Sequence, residues 1–208
     1  MKAIRVLLVD DHPVVCQGYR SYLEGVTDIE VAAEAGTGAA AYRLITALRP
    51  DVIVFDLALP DVSGMELLRR ICQRDPEARV LVFTMYENGL LMQRALQAGA
   101  LGYLCKRHGP AVLVEAVRRV AAGEPFHDPH LATRRHKEPD ALLQRLTPRE
   151  FEVFQLLAEG RSVAEIARLL HLSRKTVGVH QTRILKKLNL ANTVQLALLA
   201  VRCQVIQP

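Results

Sequence analysis

Polar side chains that could bind or accept a phosphoryl group stand at the ends of short apolar runs in this 208-residue chain. Asp10 and Asp11 follow the run IRVLLV, and Asp56 follows the run VIVF. Thr84 ends the run VLVFT, and Lys106 ends the stretch GYLCK. Carboxylates, a hydroxyl and an ammonium are the groups that accept, orient and neutralise phosphate. Their shared position after apolar runs therefore indicates a single site.

Three carboxylates gathered in one place repel each other unless a cation neutralises them. Mg²⁺ prefers carboxylate oxygens and keeps several waters, so it would leave coordination positions for a phosphoryl group. We predict a Mg²⁺-dependent site in which Asp56 accepts the phosphoryl group as an acyl phosphate. Thr84 and Lys106 would orient and neutralise the phosphoryl oxygens.

The elements that must position these groups are five apolar runs that alternate with five amphipathic stretches. The runs are Ile4–Val9, Ile29–Glu34, Val52–Phe55, Val80–Phe83 and Leu101–Leu104, and the stretches are near 13–24, 38–48, 64–73, 87–97 and 110–122. This alternation predicts an α/β fold, a doubly wound, five-stranded parallel (βα)5 sheet. Functional groups of such sheets collect beyond the carboxyl ends of the strands. With the first and third strands adjacent, the acids would converge there.

The pattern changes after residue 122, which predicts three regions. Residues 1–122 form the sheet domain, 123–143 form a polar, proline-rich linker, and 144–208 form a helical domain. Four linker residues with metal-binding side chains are expected to be solvated instead: His127, Asp128, His130 and His136. The helical domain has capping signals at Thr147, Ser162, Ser173 and Asn192. Four helices, the second and third joined by a short turn, predict a helix-turn-helix.

Charge separates the helical domain from the rest of the chain. The net charge is +5, and residues 147–208 contain nine Lys and Arg against four Asp and Glu, whereas the preceding residues are balanced. A basic module joined to a neutral one indicates a polyanionic partner. The first apolar run is typical of a buried strand rather than a signal peptide, and no run has the length of a membrane span. We therefore expect a cytoplasmic protein with no membrane partner.

Residues 4–122 resemble the receiver domain of two-component response regulators. The resemblance rests on the VDDHP run, on Asp56 followed by LALPDVSGMELL, on Thr84, and on Lys106 preceded by Tyr103. It implies that a partner sensor histidine kinase phosphorylates Asp56. It also implies that Asp10, Asp11 and the Ala58 carbonyl help to hold Mg²⁺. Thr84 and Tyr103 would act as a switch in which the hydroxyl turns toward the phosphate and the ring fills the vacated space.

Residues 144–203 resemble the LuxR-type helix-turn-helix output domain of the NarL/FixJ group, through LTPREFEVFQLLAEG, EIARLL, LSRKTVGVH and ILKKL. The resemblance implies a transcription regulator that binds double-stranded DNA sequence-specifically. The apolar last helix adds a homodimer as an expected active form, and RNA polymerase is a further candidate partner. In the third helix, Val177, Ile184 and Leu188 are predicted to pack inward. The residues predicted to contact DNA are Arg174, Lys175, Thr176, Val179, Thr182, Arg183, Lys186 and Lys187. Gly178 departs from the group, where a lysine is common, so base preference is not carried over.

Two other classes of function compete with this interpretation, which predicts no enzyme activity. An aspartyl-phosphate phosphatase of the haloacid dehalogenase type uses a similar acid on a similar sheet. Such enzymes need a DxD motif after the first strand, and Val9-Asp10-Asp11-His12 does not supply one. The other alternative is a phosphorylation-independent DNA-binding protein, or one whose output is protein contact, and Gly178 keeps this alternative open.

Overall fold

The computed structural model describes residues 3–133 and 138–206, in two compact units. The first unit comprises Met1–Met85 and Ala95–Pro129, and the second comprises Tyr86–Arg94 and His130–Pro208. Residues 134–137 of the predicted linker, His136 among them, lie outside the described residues.

A parallel sheet forms the centre of the first unit. Its strands are β1 (Ile4–Val9), β2 (Ile29–Ala35), β3 (Val52–Phe55), β4 (Val80–Thr84), β5 (Gly102–Cys105) and β6 (Phe126–His127), in the order β2-β1-β3-β4-β5-β6. The predicted parallel α/β sheet is confirmed, and β1 does lie beside β3, with Val9 opposite Phe55. Strands β3 and β4 are buried along their whole length, as expected for a sheet covered on both faces.

The sheet has one strand more than the five predicted. Strand β6 pairs with β5 through Gly102 opposite Phe126 and Tyr103 opposite His127. A strand of two residues is too short to show an alternating pattern, and Pro125 and Pro129 flank it in the sequence. The burial of Phe126 in the apolar core fastens this part of the predicted linker to the sheet.

Five helices follow the first five strands, at the positions predicted from the amphipathic pattern. They are α1 (Pro13–Leu23), α2 (Gly38–Leu48), α3 (Gly64–Arg74), α4 (Gly89–Gln97) and α5 (Pro110–Ala121). Prolines open α1 and α5, where the missing amide hydrogen has no helical partner in any case. The side chains of Thr37 and Ser63 cap α2 and α3 by accepting from backbone amides.

The second unit is helical. Two short helices, α6 (Pro129–Thr133) and α7 (Glu138–Leu143), precede the four predicted ones, α8 (Pro148–Ala158), α9 (Val163–Leu169), α10 (Arg174–Leu188) and α11 (Thr193–Arg202). Complete capping boxes begin α8 and α9, and Ser173 and Asn192 cap α10 and α11, which confirms the helix starts predicted from the sequence. Val177, Ile184 and Leu188 are buried, so α10 packs through the predicted face.

Among the described residues, no single helix combines the length and apolarity needed to cross a membrane. Helices α10 and α11 together meet that requirement, but they are bent by 62° to each other.

The segment Tyr86–Arg94, which includes the start of α4, packs within the second unit. The Arg94 guanidinium lies 4.3 Å from the centroid of the Phe151 ring. It also donates to the carbonyl oxygens of Leu143 and Leu146, at 3.2 and 2.8 Å. An arginine stacked on an aromatic face and bonded to two carbonyls orders the turn before α8.

Candidate functional site

Asp10 and Asp56 meet at the carboxyl edge of the sheet because β1 and β3 are neighbours in register. Both side chains are buried, with 8% and 3% of the residue surface exposed. Ligand atoms of Asp10, His12 and Asp56 all lie within 4.8 Å of one another. Oxygen-rich clusters of this kind fit a hard metal ion, so the chemistry of the donor set agrees with a metal site.

Lys106 supplies the opposite charge to these carboxylates. Its Nζ lies 2.5 Å from Oδ2 of Asp10 and 2.5 Å from Oδ2 of Asp56. Burial alone would lower the pKa of Lys106, but the charge of Asp56 and hydrogen bonds to both carboxylates outweigh it and raise the pKa above its ordinary value. The ammonium therefore stays charged and holds the two carboxylates together.

His12 is a member of the site that the sequence prediction did not include. Its backbone amide donates to Oδ1 of Asp10 at 3.0 Å, and its Nδ1 lies 2.8 Å from Oδ1 of Asp11. This ring contact is short but does not have hydrogen-bond geometry. Asp11 Oδ1 is therefore buried without a hydrogen-bond partner in the described part of the chain. The only signal in the sequence was the position of His12 directly after the two acids.

Thr84 and Tyr103, the predicted switch pair, are both fully buried on adjacent strands. The Thr84 hydroxyl has no hydrogen-bond partner among the residues that the structure describes. A buried hydroxyl without a partner has a higher free energy than a hydrated one. It is therefore available to donate to an oxygen that arrives at this edge of the sheet.

The loop after β3 holds Asp56 from the other side. The backbone amide of Ala58 donates to Oδ1 of Asp56 at 3.2 Å. Asp61 of the same loop accepts from the amides of Gly38 and Ala39 at 2.7 and 3.0 Å and so fastens the loop to the start of α2. The Asp56 carboxylate is thus oriented by its own loop.

Helix α10 exposes the whole predicted DNA-contacting set. The exposed residues are Arg174, Lys175, Thr176, Val179, Thr182, Arg183, Lys186 and Lys187. The ammonium of Lys187 lies 2.6 Å from the buried Glu150 carboxylate at the start of α8. Burial would raise the pKa of Glu150, but hydrogen bonds from Lys187 and Thr147 lower it. Lys187 therefore links α10 to the start of α8 and also contributes to the positive charge of the exposed face.

The centre of the exposed face of α10 is small and apolar. Thr182 Oγ1 donates to the Gly178 carbonyl oxygen at 3.0 Å, so the hydroxyl is engaged with the helix backbone. Val179, on the same exposed face, is 43% exposed. Basic side chains flank this centre toward both ends of the helix. Such a face can contact phosphates at its ends and thymine methyl groups at its middle.

Substituting Gly178 with alanine is expected to stabilise the second unit, because glycine in a helix interior carries an entropic cost. Apart from its chain neighbours and the backbone of α10 itself, no heavy atom of the described residues lies within 4 Å of the position that a Cβ would take there. We expect Gly178→Ala to raise the free energy of unfolding by about 0.5–1 kcal/mol in urea denaturation. Gly160→Ala is the control: its φ is +79°, so a Cβ should instead lower stability by about 1–2 kcal/mol. A loss of stability in Gly178→Ala would contradict the prediction.

An acidic carboxyl edge on a parallel sheet, followed in the chain by a helix-turn-helix, defines a class of phosphate-responsive DNA-binding proteins. Residues 6–118 match the family described as response regulator receiver domain, and residues 144–200 match bacterial regulatory proteins of the luxR family. The chain therefore belongs to the response regulators that carry a LuxR-type DNA-binding domain.

Curated relatives and solved structures agree with this membership over nearly the whole chain. The transcriptional activator protein ExaE of Pseudomonas putida is 40% identical over 210 residues, covering 97% of this chain and 98% of its own length. The transcriptional regulatory protein LiaR of Bacillus subtilis (strain 168) is 38% identical over 205 residues, covering 96% and 97%. One similar solved structure is that of RcsB from Salmonella enterica serovar Typhimurium, bound to promoter rprA in the presence of the phosphomimetic BeF3-. Its TM-score is 0.78 at 27% sequence identity, and the match covers 95% of this chain and 98% of that chain.

Proposed function

We propose that this response regulator accepts a phosphoryl group on Asp56 from a partner sensor histidine kinase, and that the phosphoryl group controls DNA binding by α10. One observation carries the proposal: the buried Asp56 carboxylate lies against Lys106 and next to the Asp10 carboxylate. The same edge holds the Thr84 hydroxyl, which has no hydrogen-bond partner in the described part of the chain. These are the groups that phosphoryl transfer to a carboxylate requires.

The transfer forms a bond from an Asp56 carboxylate oxygen to phosphorus while the bond from phosphorus to the donor breaks. Lys106, whose ammonium already contacts Asp56, would donate to the equatorial phosphoryl oxygens. The Thr84 hydroxyl would turn to donate to one of them and so gain the partner that it lacks among the described residues. Tyr103, buried on the neighbouring strand, would fill the space that Thr84 leaves.

Asp10, Asp11, Asp56 and the Ala58 carbonyl are the groups that would hold a Mg²⁺ ion in this site. When bound, the ion supplies neutralisation of the charge on the phosphoryl oxygens. Two features of the chain favour this assignment. Asp11 Oδ1 is buried without a hydrogen-bond partner in the described residues, and an ammonium already bridges the other two carboxylates as a cation would.

Labelling from a small acyl-phosphate donor tests the phosphoryl-accepting role. With Mg²⁺ present, the wild type is expected to take up one phosphoryl group per chain, in an acid-stable and base-labile bond typical of an acyl phosphate. Removing the ion with a chelator is expected to reduce the labelling rate by more than about tenfold, because the carboxylates then repel the donor. Equal labelling with and without the chelator would contradict the metal-dependent mechanism. Sustained multiple turnovers of a phosphomonoester would favour the phosphatase alternative instead.

The proposed DNA interface consists of the exposed basic face of α10. Sequence-specific binding would place this helix in the major groove of double-stranded DNA, with a second copy of the chain on the other half-site. The side chains of Val194 and Leu198 on α11 are 67% and 56% exposed and are the apolar surface that we assign to the homodimer. RNA polymerase is the further partner expected of a transcription regulator, and the cytoplasm is the expected compartment.

Affinity measured against salt concentration tests the DNA interface. Each phosphate that the protein neutralises contributes a slope of about −0.9 to the plot of log K against log salt. Lys186→Ala is expected to make this slope shallower by about 1 without changing the preferred sequence. Arg202→Ala, an exposed basic residue in the last turn of α11, is the control and should leave the slope unchanged. Salt-insensitive binding, or no duplex binding in either phosphorylation state, would support a protein-contact output.

A further inference from the structure

Asp128 is a fully buried carboxylate in the segment predicted to be a solvated linker. It directly follows β6 in the chain. His127, the last residue of β6, is exposed. A buried carboxylate is unfavourable unless several donors compensate for the lost water. The donors that contact Asp128 therefore indicate which part of the structure this carboxylate stabilises.

The donors around Asp128 come from the residues on both sides of Lys106. The backbone amide of Cys105 donates to Oδ2 of Asp128 at 3.0 Å. The His108 ring Nε2 lies 2.8 Å from the same oxygen, and an Arg107 guanidinium nitrogen lies 4.0 Å from Oδ1. One carboxylate thus gathers three close neighbours of the lysine that reaches Asp10 and Asp56.

The geometry of the sheet explains why a side chain is needed at this point. Among the described residues, strand β5 pairs with β6 through Gly102 and Tyr103, so β6 ends before it can provide an acceptor for the Cys105 amide. Asp128 supplies the acceptor that a longer strand would have supplied. On the other side, the Lys106 amide donates to the Thr84 carbonyl oxygen at 2.8 Å. The backbone that carries Lys106 is therefore fixed from both sides of β5.

We propose that Asp128 is a positioning residue for Lys106: it fixes the backbone from which the ammonium reaches the phosphoryl-accepting carboxylate. The inference rests on the proposed function of Asp56 and Lys106. Asp128 itself does not contact the reacting atoms, and it acts by restricting where Lys106 Nζ can lie. A displacement of this ammonium by about 1 Å is enough to weaken its contact with the phosphoryl oxygens.

The test compares labelling rates of full-length variants with an acyl-phosphate donor and Mg²⁺. We expect Asp128→Ala to slow labelling by about tenfold to a hundredfold, approaching the rate of Lys106→Ala. Asp128→Asn keeps an acceptor oxygen for the Cys105 amide and is expected to restore most of the rate. His127→Ala, at the exposed position that precedes Asp128, is the matched control and should label as the wild type does.

The double variant Asp128→Ala/Lys106→Ala separates positioning from general destabilisation. If Asp128 acts through Lys106, the double variant labels no more slowly than Lys106→Ala alone. The calorimetric affinity for Mg²⁺ alone should also stay at the wild-type value, since the metal-binding carboxylates keep their places. Multiplied effects in the double variant, or wild-type labelling by Asp128→Ala, would overturn the inference. If the alanine variant does not fold, Asp128→Ser carries the same cycle, and absence of labelling in the wild type would refute the proposed function instead.

Discussion

Replacing Asp56 with alanine is expected to abolish phosphoryl labelling while leaving the protein folded. The acceptor oxygen is lost, and the neighbouring Asp10 is the residue that we assign to the metal ion rather than to the phosphoryl group. Its Oδ2 lies against Lys106. The fold should survive because removal of one acid leaves Lys106 paired with Asp10 rather than stranded. Labelling with a radioactive acyl-phosphate donor and Mg²⁺ measures the loss, and thermal denaturation reports the fold.

Asp51 provides a matched control for this substitution because it lies at the opposite end of the same strand. Its carboxylate accepts from the Arg5 amide at 2.8 Å, far from the carboxyl edge of the sheet. Asp51→Ala removes a carboxylate and one hydrogen bond, which should cost about 1 kcal/mol of stability but leave labelling at full stoichiometry. Full labelling of Asp56→Ala would assign the acceptor to another residue.

Most of the first unit could be predicted because its sequence carries strong local signals. The five long strands are rich in apolar residues, and each of the five helices has an amphipathic pattern. The convergence of Asp10 and Asp56 then followed from one topological assumption, that β1 and β3 are adjacent, which the strand order confirms. The same reasoning located α10 from Arg174 to Leu188, because Ser173 caps it and the apolar positions recur at helical spacing.

The features that could not be predicted from the sequence depend on long-range contacts of single residues. Strand β6 and the buried Asp128 lie among prolines and polar residues, which is the composition of a linker. The partners on β5 and beside Lys106 make that segment part of the sheet. The packing of Arg94 on Phe151 is a similar case, because periodicity identifies a helix but does not show which unit its first residues pack within.

Gly64→Ala is the second substitution for which we expect a large effect, on both stability and labelling. Gly64 begins α3 and packs directly on the backbone that follows Asp56. A Cβ there would lie 2.3 Å from the Leu57 carbonyl oxygen and 2.5 Å from its Cα. Because these are backbone atoms, rotation of a side chain cannot relieve the clash, and the loop must move. We expect the free energy of unfolding to fall by about 1–3 kcal/mol or more.

Movement of Leu57 also displaces the adjoining Asp56 carboxylate. Phosphoryl labelling of the Gly64→Ala variant should therefore slow by about tenfold to a hundredfold, even at temperatures where the variant is folded. Gly89→Ala is the matched control, since Gly89 begins α4. Apart from its chain neighbours and the backbone of α4, no described residue lies within 4 Å of the position that its added Cβ would take. That variant should be as stable as the wild type and label at its rate. Because both substitutions add one methyl group to the first residue of a helix, any difference between them measures how closely the backbone of α3 supports the acceptor. Equal behaviour of the two variants would show that the loop after β3 yields without disturbing Asp56.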